Sequence, residues 1–133
     1  MPLRALSSSV WVSGQIALPV VAEAAAAGVR RIVSNRPDGE ESGQPTAADM
    51  AAAAQAAGLE FVHAPVVGMP SAEAIAAVAA AIEDGEPVLL FCRSGMRSAA
   101  TWALAMRSLG RGEPDTLRAA AAEAGYDLSR VPL

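Results

Sequence analysis

The chain has 133 residues, enough for one domain with its own core. Alanine supplies most of its apolar content, aromatics are few, all ten basic residues are arginine and the net charge is −4, with no arginine-rich stripe of the kind that binds nucleic acid. A single cysteine excludes an internal disulfide, and the apolar stretch 16–29 is broken by Pro19 and Glu23, which argues against a signal peptide or a membrane span and for a cytoplasmic domain with no membrane partner.

In chain order, residues 9–13 alternate in character and precede Gly14, which predicts an edge strand or the start of a hairpin. Residues 17–27 read as a helix stopped by Gly28. Residues 30–35 read as a strand, and Arg36-Pro37-Asp38-Gly39-Glu40 as a turn with loop beyond it. Thr46 followed by Asp49 resembles a capping box that opens a helix ending at Gly58. Residues 59–67 are predicted as a second core strand. Ser71 is a plausible N-cap for a helix whose Ile75, Val78 and Ile82 share one face, ended by Gly85. Residues 87–91 are apolar enough for a strand buried on both sides. Residues 97–109 form the next helix, and Pro114 fits the first turn of a last one ending near Gly125. Strand–helix alternation with short connections predicts an α/β fold, a central mostly parallel sheet of four to five strands flanked by helices, over the single domain 1–133.

The informative segment is Cys92-Arg93-Ser94-Gly95-Met96-Arg97-Ser98. It joins a buried strand to a helix start. Ligands of open parallel sheets sit at such strand ends. Gly95 is free to take a positive φ, so the backbone N–H groups after it can turn inward as an anion nest, and the helix dipole adds to that field. Arg93 and Arg97 add cationic charge. This environment favours a thiolate and a bound anion, which makes Cys92 a candidate nucleophile and Arg97 its partner, with Arg93, Ser94, Gly95, Met96 and Ser98 as candidate substrate contacts. The bland reading of a lone cysteine is a small core residue; Gly95, the two arginines and the helix start weigh against it. The reading requires a thiol open to solvent and amides turned toward it.

Asn35, Arg36 and Asp38 follow a strand parallel to the cysteine strand and so lie near the same rim. Arg36 is a candidate anion contact, and Asp38 or Glu40 a candidate proton donor; the alternative is an ordinary turn with solvated charges. His63 is expected mid-strand as a structural residue bonded within the sheet or near its end, with a role beside Cys92 as the other reading. One cysteine and one histidine predict no metal, and no cofactor is implied. Trp102 and Met106, four apart on the helix after the loop, read as core packing, as does Trp11. Met96 is a candidate apolar rim, and Ser98 either bonds the thiolate or caps the helix.

Four residues separate Cys92 from Arg97, a spacing that resembles the active-site loop of rhodanese-type sulfurtransferases. Cysteine-dependent phosphatases place five there, usually after a histidine, where this chain has Phe91. As a whole the chain resembles the bacterial phosphatase-like domain found alone or fused to beta-lactamase-fold hydrolases. Val12-Ser13-Gly14-Gln15, Asn35 to Glu40, His63-Ala64-Pro65 and Cys92 to Ser98 carry that resemblance. It implies a fold like that of dual-specificity phosphatases with a shorter loop. The shorter ring implies room for the outer sulfur of a persulfide rather than for a phosphoryl group. Phosphatases of this architecture carry an acid on the loop that corresponds to Val66-Val67-Gly68-Met69-Pro70, which has none. The expectation drawn from the sequence is therefore a sulfurtransferase that carries sulfane sulfur on Cys92 from a small anionic donor to an acceptor such as a protein thiol. A phosphatase acting on a phosphate ester is the alternative, and an anion- or persulfide-binding or redox-sensing module a third reading.

Overall fold

The computed structural model describes residues 3–133. Ten elements follow in order: β1 (Arg4–Ala5), β2 (Val10–Ser13), α1 (Leu18–Ala26), β3 (Arg31–Ser34), α2 (Ala47–Ala56), β4 (Glu60–His63), α3 (Ala72–Ile82), β5 (Val88–Phe91), α4 (Met96–Ser108) and α5 (Pro114–Glu123). The sheet order is β1-β2-β5-β3-β4, parallel except for the short antiparallel β1. This is the expected α/β architecture.

Local chemistry sets the boundaries. Thr46 and Ser71 accept the backbone N–H of Asp49 and Ala74, so both predicted N-caps form. Pro114 opens α5 at its first turn. Two apolar clusters fill the two faces of the sheet. Trp102, Val78, Leu90, Leu117 and Leu128 share one with α3, α4 and α5, while Ile32, Leu89, Phe91, Val21 and Met50 share the other with α1 and α2. Trp102 is core, the half-buried Met106 packs against the same cluster, and Trp11 packs against the second one. β5 is buried at every residue, as its composition predicts. Each large side chain there contributes about 1.5–3 kcal/mol on burial.

Two strand expectations change. Residues 9–13 do not form an edge: β2 lies between β1 and β5, because two residues at Arg4–Ala5 cover its outer side. Residues 59–67 are not a core strand: only Glu60–His63 pairs, it pairs with β3 alone, and its residues are half-buried or exposed. Past the regular ladder the Ala64 amide still bonds the Ser34 carbonyl and the Val66 amide the Asn35 carbonyl, both at 2.9 Å, so the segment stays tied to β3 as it leaves the sheet. The register places Ser13, Phe91, Ser34 and His63 side by side, so β2, β5, β3 and β4 all end on one rim with β5 at its centre.

Candidate active site

Cys92 is the first residue beyond β5. The chain then turns through Ser94 and reaches Gly95, which has φ 98° and is the N-cap of α4. A residue with a Cβ strains there. The Gly95 amide donates to Cys92 Sγ at 3.1 Å. The Met96 amide instead donates to Ser94 Oγ, so that donor is taken by the loop's own hydroxyl. The amides of Arg97 and Ser98 lie in the first turn of α4, where no carbonyl four residues back is available to them. Of the amides expected to turn inward, that of Gly95 is on the sulfur and that of Met96 is not.

Arg97 is held from two sides. Its Nη1 donates to Glu40 Oε2 and to the Val66 carbonyl, and its Nη2 to Glu40 Oε1, each at 2.8 Å. Three of the five guanidinium N–H donors are used in this way. The edge formed by Nε and Nη2 keeps a second pair of parallel N–H bonds, a fork that matches two oxygens of an oxyanion. The hydrogen bonds to Glu40 are the main cause of Arg97's raised pKa, burial opposes them, and Cys92 adds a Coulombic and a hydrogen-bonding share.

Arg36 is buried at 3% exposure, with every part of its guanidinium bonded: Nε to Glu40 Oε1 at 3.0 Å, Nη1 to Gln15 Oε1 at 3.0 Å and Nη2 to Glu41 Oε1 at 2.8 Å. Glu40 therefore sits between two arginines. The hydrogen bonds from Arg97 are the largest cause of its carboxyl lying at about 2 instead of 4.5, with Arg36 adding to them against burial. Its pKa is lower folded than unfolded, so its contribution to stability is complete above about 4.5 and lost as pH falls through about 2. The gap in thermal midpoint between the wild type and Glu40→Gln is expected to be full at pH 6 and to close between roughly pH 4.5 and 2; a constant gap means that the carboxylate's charge is irrelevant.

Several sequence expectations need correction. Cys92 is fully buried rather than open to solvent, which counts against one of the two conditions the sequence reading set, while the Gly95 amide on the sulfur answers to the other. Asp38 does not join the bowl; its Oδ1 accepts the Ala47 amide at 2.8 Å and helps to start α2. Glu40 is an ion-pair anchor rather than a proton donor, because a carboxyl at about 2 carries no proton near neutrality. Ser98 neither bonds the sulfur nor caps the helix. Its Oγ donates to Asn35 Oδ1 at 2.8 Å, and Asn35 Nδ2 donates to the Ala64 carbonyl at 2.8 Å. That buried chain ties α4 to the ends of β3 and β4. His63 is the last residue of β4, not mid-strand, and its Nε2 bonds the Arg36 carbonyl at 2.9 Å. It has the structural role expected of it.

Two depressions flank the loop. One of about 390 Å³ is lined by Gln15, Arg36, Glu41, Gln44 and Arg93. Arg93 is 66% exposed there and held only by a 3.6 Å contact to Glu41. The other, about 240 Å³ and mostly apolar, runs between Met69, Met96, Arg97, Arg130 and Val131. Met96 thus forms the apolar rim expected of it. Sequence reasoning gave no role to Gln15, Glu41 or Tyr126. The first two follow Arg36's need for partners, and the i,i+4 spacing of Arg36 and Glu40 signalled that pair.

Gly14 fixes the neighbouring wall. A Cβ placed on it meets the Arg93 carbonyl oxygen at 2.9 Å, and the Gln15 amide donates to that same oxygen at 3.2 Å. Gly14→Ala is expected to cost about 1–3 kcal/mol in denaturant unfolding as the loop backbone shifts; an unchanged midpoint removes this close approach from the account.

A parallel sheet whose central strand delivers a cysteine to a helix N-terminus, under an arginine from that helix, has the architecture of the cysteine-phosphatase class. A family model described as the phosphatase-like domain of beta-lactamase hydrolase-like protein matches residues 2–110, and the chain belongs to that family. Among curated proteins, the Beta-lactamase hydrolase-like protein of Xylella fastidiosa strain Temecula1 is 36% identical over 98% of this chain. The counterpart in Agrobacterium fabrum is 30% identical over 92%. The chain spans about a third of the length of these relatives, 31% and 29% respectively. The crystal structure of a protein described as a candidate phosphatase from Neisseria meningitidis superposes with a TM-score of 0.79 at 28% identity, covering 98% of this chain and 93% of that one. Human DUSP28, at 23% identity and a TM-score of 0.65 over 92% and 81% of the two chains, shares the fold. The likeness is to phosphatases, which reverses the order in which loop length ranked the two chemistries.

Proposed function

We propose that the domain is a cysteine-dependent phosphatase acting on a small phosphate ester. Cys92 Sγ attacks phosphorus as the thiolate, the ester oxygen leaves with the bonding electrons as an anion that solvent water protonates, and a phosphocysteine forms that water then hydrolyses to the thiolate and inorganic phosphate. The Nε–Nη2 edge of Arg97, with the first-turn amides of α4, holds the non-bridging oxygens where charge develops. The observation that carries this reading is the pinning of Arg97: Glu40 and Val66 fix its tip, and the two N–H bonds of its Nε–Nη2 edge are left unspent on the residue five positions after Cys92. Asp38 and Glu40 are both committed elsewhere, so esters with a good leaving group are the expected substrates.

One observation favours a second reading. Only four residues separate Cys92 from Arg97, and sulfur transfer from thiosulfate needs no proton donor because sulfite leaves readily. Paired assays separate the two. A phosphatase hydrolyses a generic aryl phosphate, is blocked by vanadate and gains a phosphoryl mass on Cys92. A sulfurtransferase makes thiocyanate from thiosulfate and cyanide and gains one sulfur. Thiocyanate production without phosphate release sinks the phosphatase reading, and inertness in both assays leaves an anion-binding or redox-sensing domain.

A further inference from the structure

The peptide unit between Ser94 and Gly95 has both of its polar ends occupied. Its N–H donates inward to Cys92 Sγ at 3.1 Å. Its carbonyl points away, as trans peptide geometry demands, and accepts the hydroxyl of Tyr126 at 3.0 Å. We propose that Tyr126 is a positioning residue that holds this peptide plane with its N–H on the Cys92 sulfur. This inference deepens the phosphatase reading and rests on Cys92 being the reacting group.

Three further observations support it. First, the contact is close: a Cβ on Gly95 collides with the Tyr126 hydroxyl, so the ring packs where only glycine leaves room. Second, Tyr126 is itself anchored. Gly125, at φ 98°, ends α5 and lets the Tyr126 amide bond the Ala121 carbonyl at 2.8 Å, while Ala121, Ala124 and Leu128 are buried around it. Third, partial burial raises the pKa of the Tyr126 hydroxyl, and the nearby Cys92 charge raises it further against Arg4. The hydroxyl therefore stays protonated, and a donor, near neutral pH.

The physical effect is twofold. A peptide whose carbonyl is free can rotate and turn its N–H away from the sulfur; one tied at the oxygen cannot without breaking that bond. A hydrogen bond accepted by the carbonyl also polarises the peptide and strengthens its N–H as a donor. Tyr126 lies beyond residues 2–110, the stretch that the family model matches, so the segment after α4 takes part in shaping the loop.

Tyr126→Phe tests this, because the ring and its packing remain and only the hydroxyl is lost. Two readouts apply: hydrogen exchange of the Gly95 amide by NMR, and affinity for vanadate. Loss of one such bond is expected to speed Gly95 exchange and weaken vanadate binding about three- to tenfold each. Arg118→Ala is the control; it removes the bond from Arg118 to the Val131 carbonyl, loosening the C-terminal segment without touching the Ser94–Gly95 peptide. It is expected to lower the thermal midpoint and leave Gly95 exchange alone. Unchanged Gly95 exchange in Tyr126→Phe overturns the proposal, as does an equal effect from Arg118→Ala. A wild-type protein that binds no vanadate counts against the phosphatase reading, while Gly95 exchange still decides the role of Tyr126.

Discussion

Cys92→Ser is expected to lower the turnover of an aryl phosphate by about 10⁴-fold or more, the scale seen when a covalent nucleophile is removed. The hydroxyl is slightly smaller than the thiol and accepts the Gly95 N–H in its place, so the fold survives and the loss is chemical. A serine hydroxyl is far less ionised than a thiol, and the helix start, Gly95 amide and Arg97 do not close that difference. Oxyanion binding is expected to persist, because the donors for it lie on α4 and Arg97 rather than on residue 92. The pair of measurements is steady-state turnover and affinity for inorganic phosphate, which needs no bond to the sulfur, on the same preparation. A serine variant within about tenfold of wild type places the nucleophile elsewhere.

Arg97→Lys is expected to cost about 10²–10³-fold in kcat/KM, the scale for removing a donor from a preorganised oxyanion site. Charge is kept and shape is lost. An ammonium has no planar fork, so it cannot bond both Glu40 oxygens and the Val66 carbonyl while presenting two parallel N–H bonds to a substrate. Both KM and kcat are expected to worsen, since the same edge meets the anion in the ground state and in the transition state. Full activity in the lysine variant means that Arg97 acts as a simple point charge, and the account of its pinning by Glu40 then falls.

Much of the fold was legible because its signals are local. Glycine at 28, 58, 85, 110 and 125 takes positive φ after each helix, and Thr46, Ser71 and Pro114 mark starts by side-chain or ring chemistry. The unbroken apolar run 88–91 gave the central strand. What was misjudged depends on neighbours the sequence does not display. The length of β4 is set by its single partner, and the interior place of β2 by a two-residue strand too short to read. The Cys92 loop and Arg97 were legible as a motif. The fates of Asp38, Glu40 and Ser98 were not, because a carboxylate or hydroxyl near a rim has several donors within reach and only the folded geometry selects one. Tyr126 carried no signal: it follows the last helix and meets the loop from 32 positions away.

Glu40 stands 57 positions before Arg97 and is shared between it and Arg36. Those three positions are expected to co-vary in descent, since losing any one strands a charge in a crowded space. The same sharing bears on grafting. Residues 92–98 moved onto another sheet would arrive with a wandering guanidinium; the turn from Arg36 to Glu41 has to travel with them.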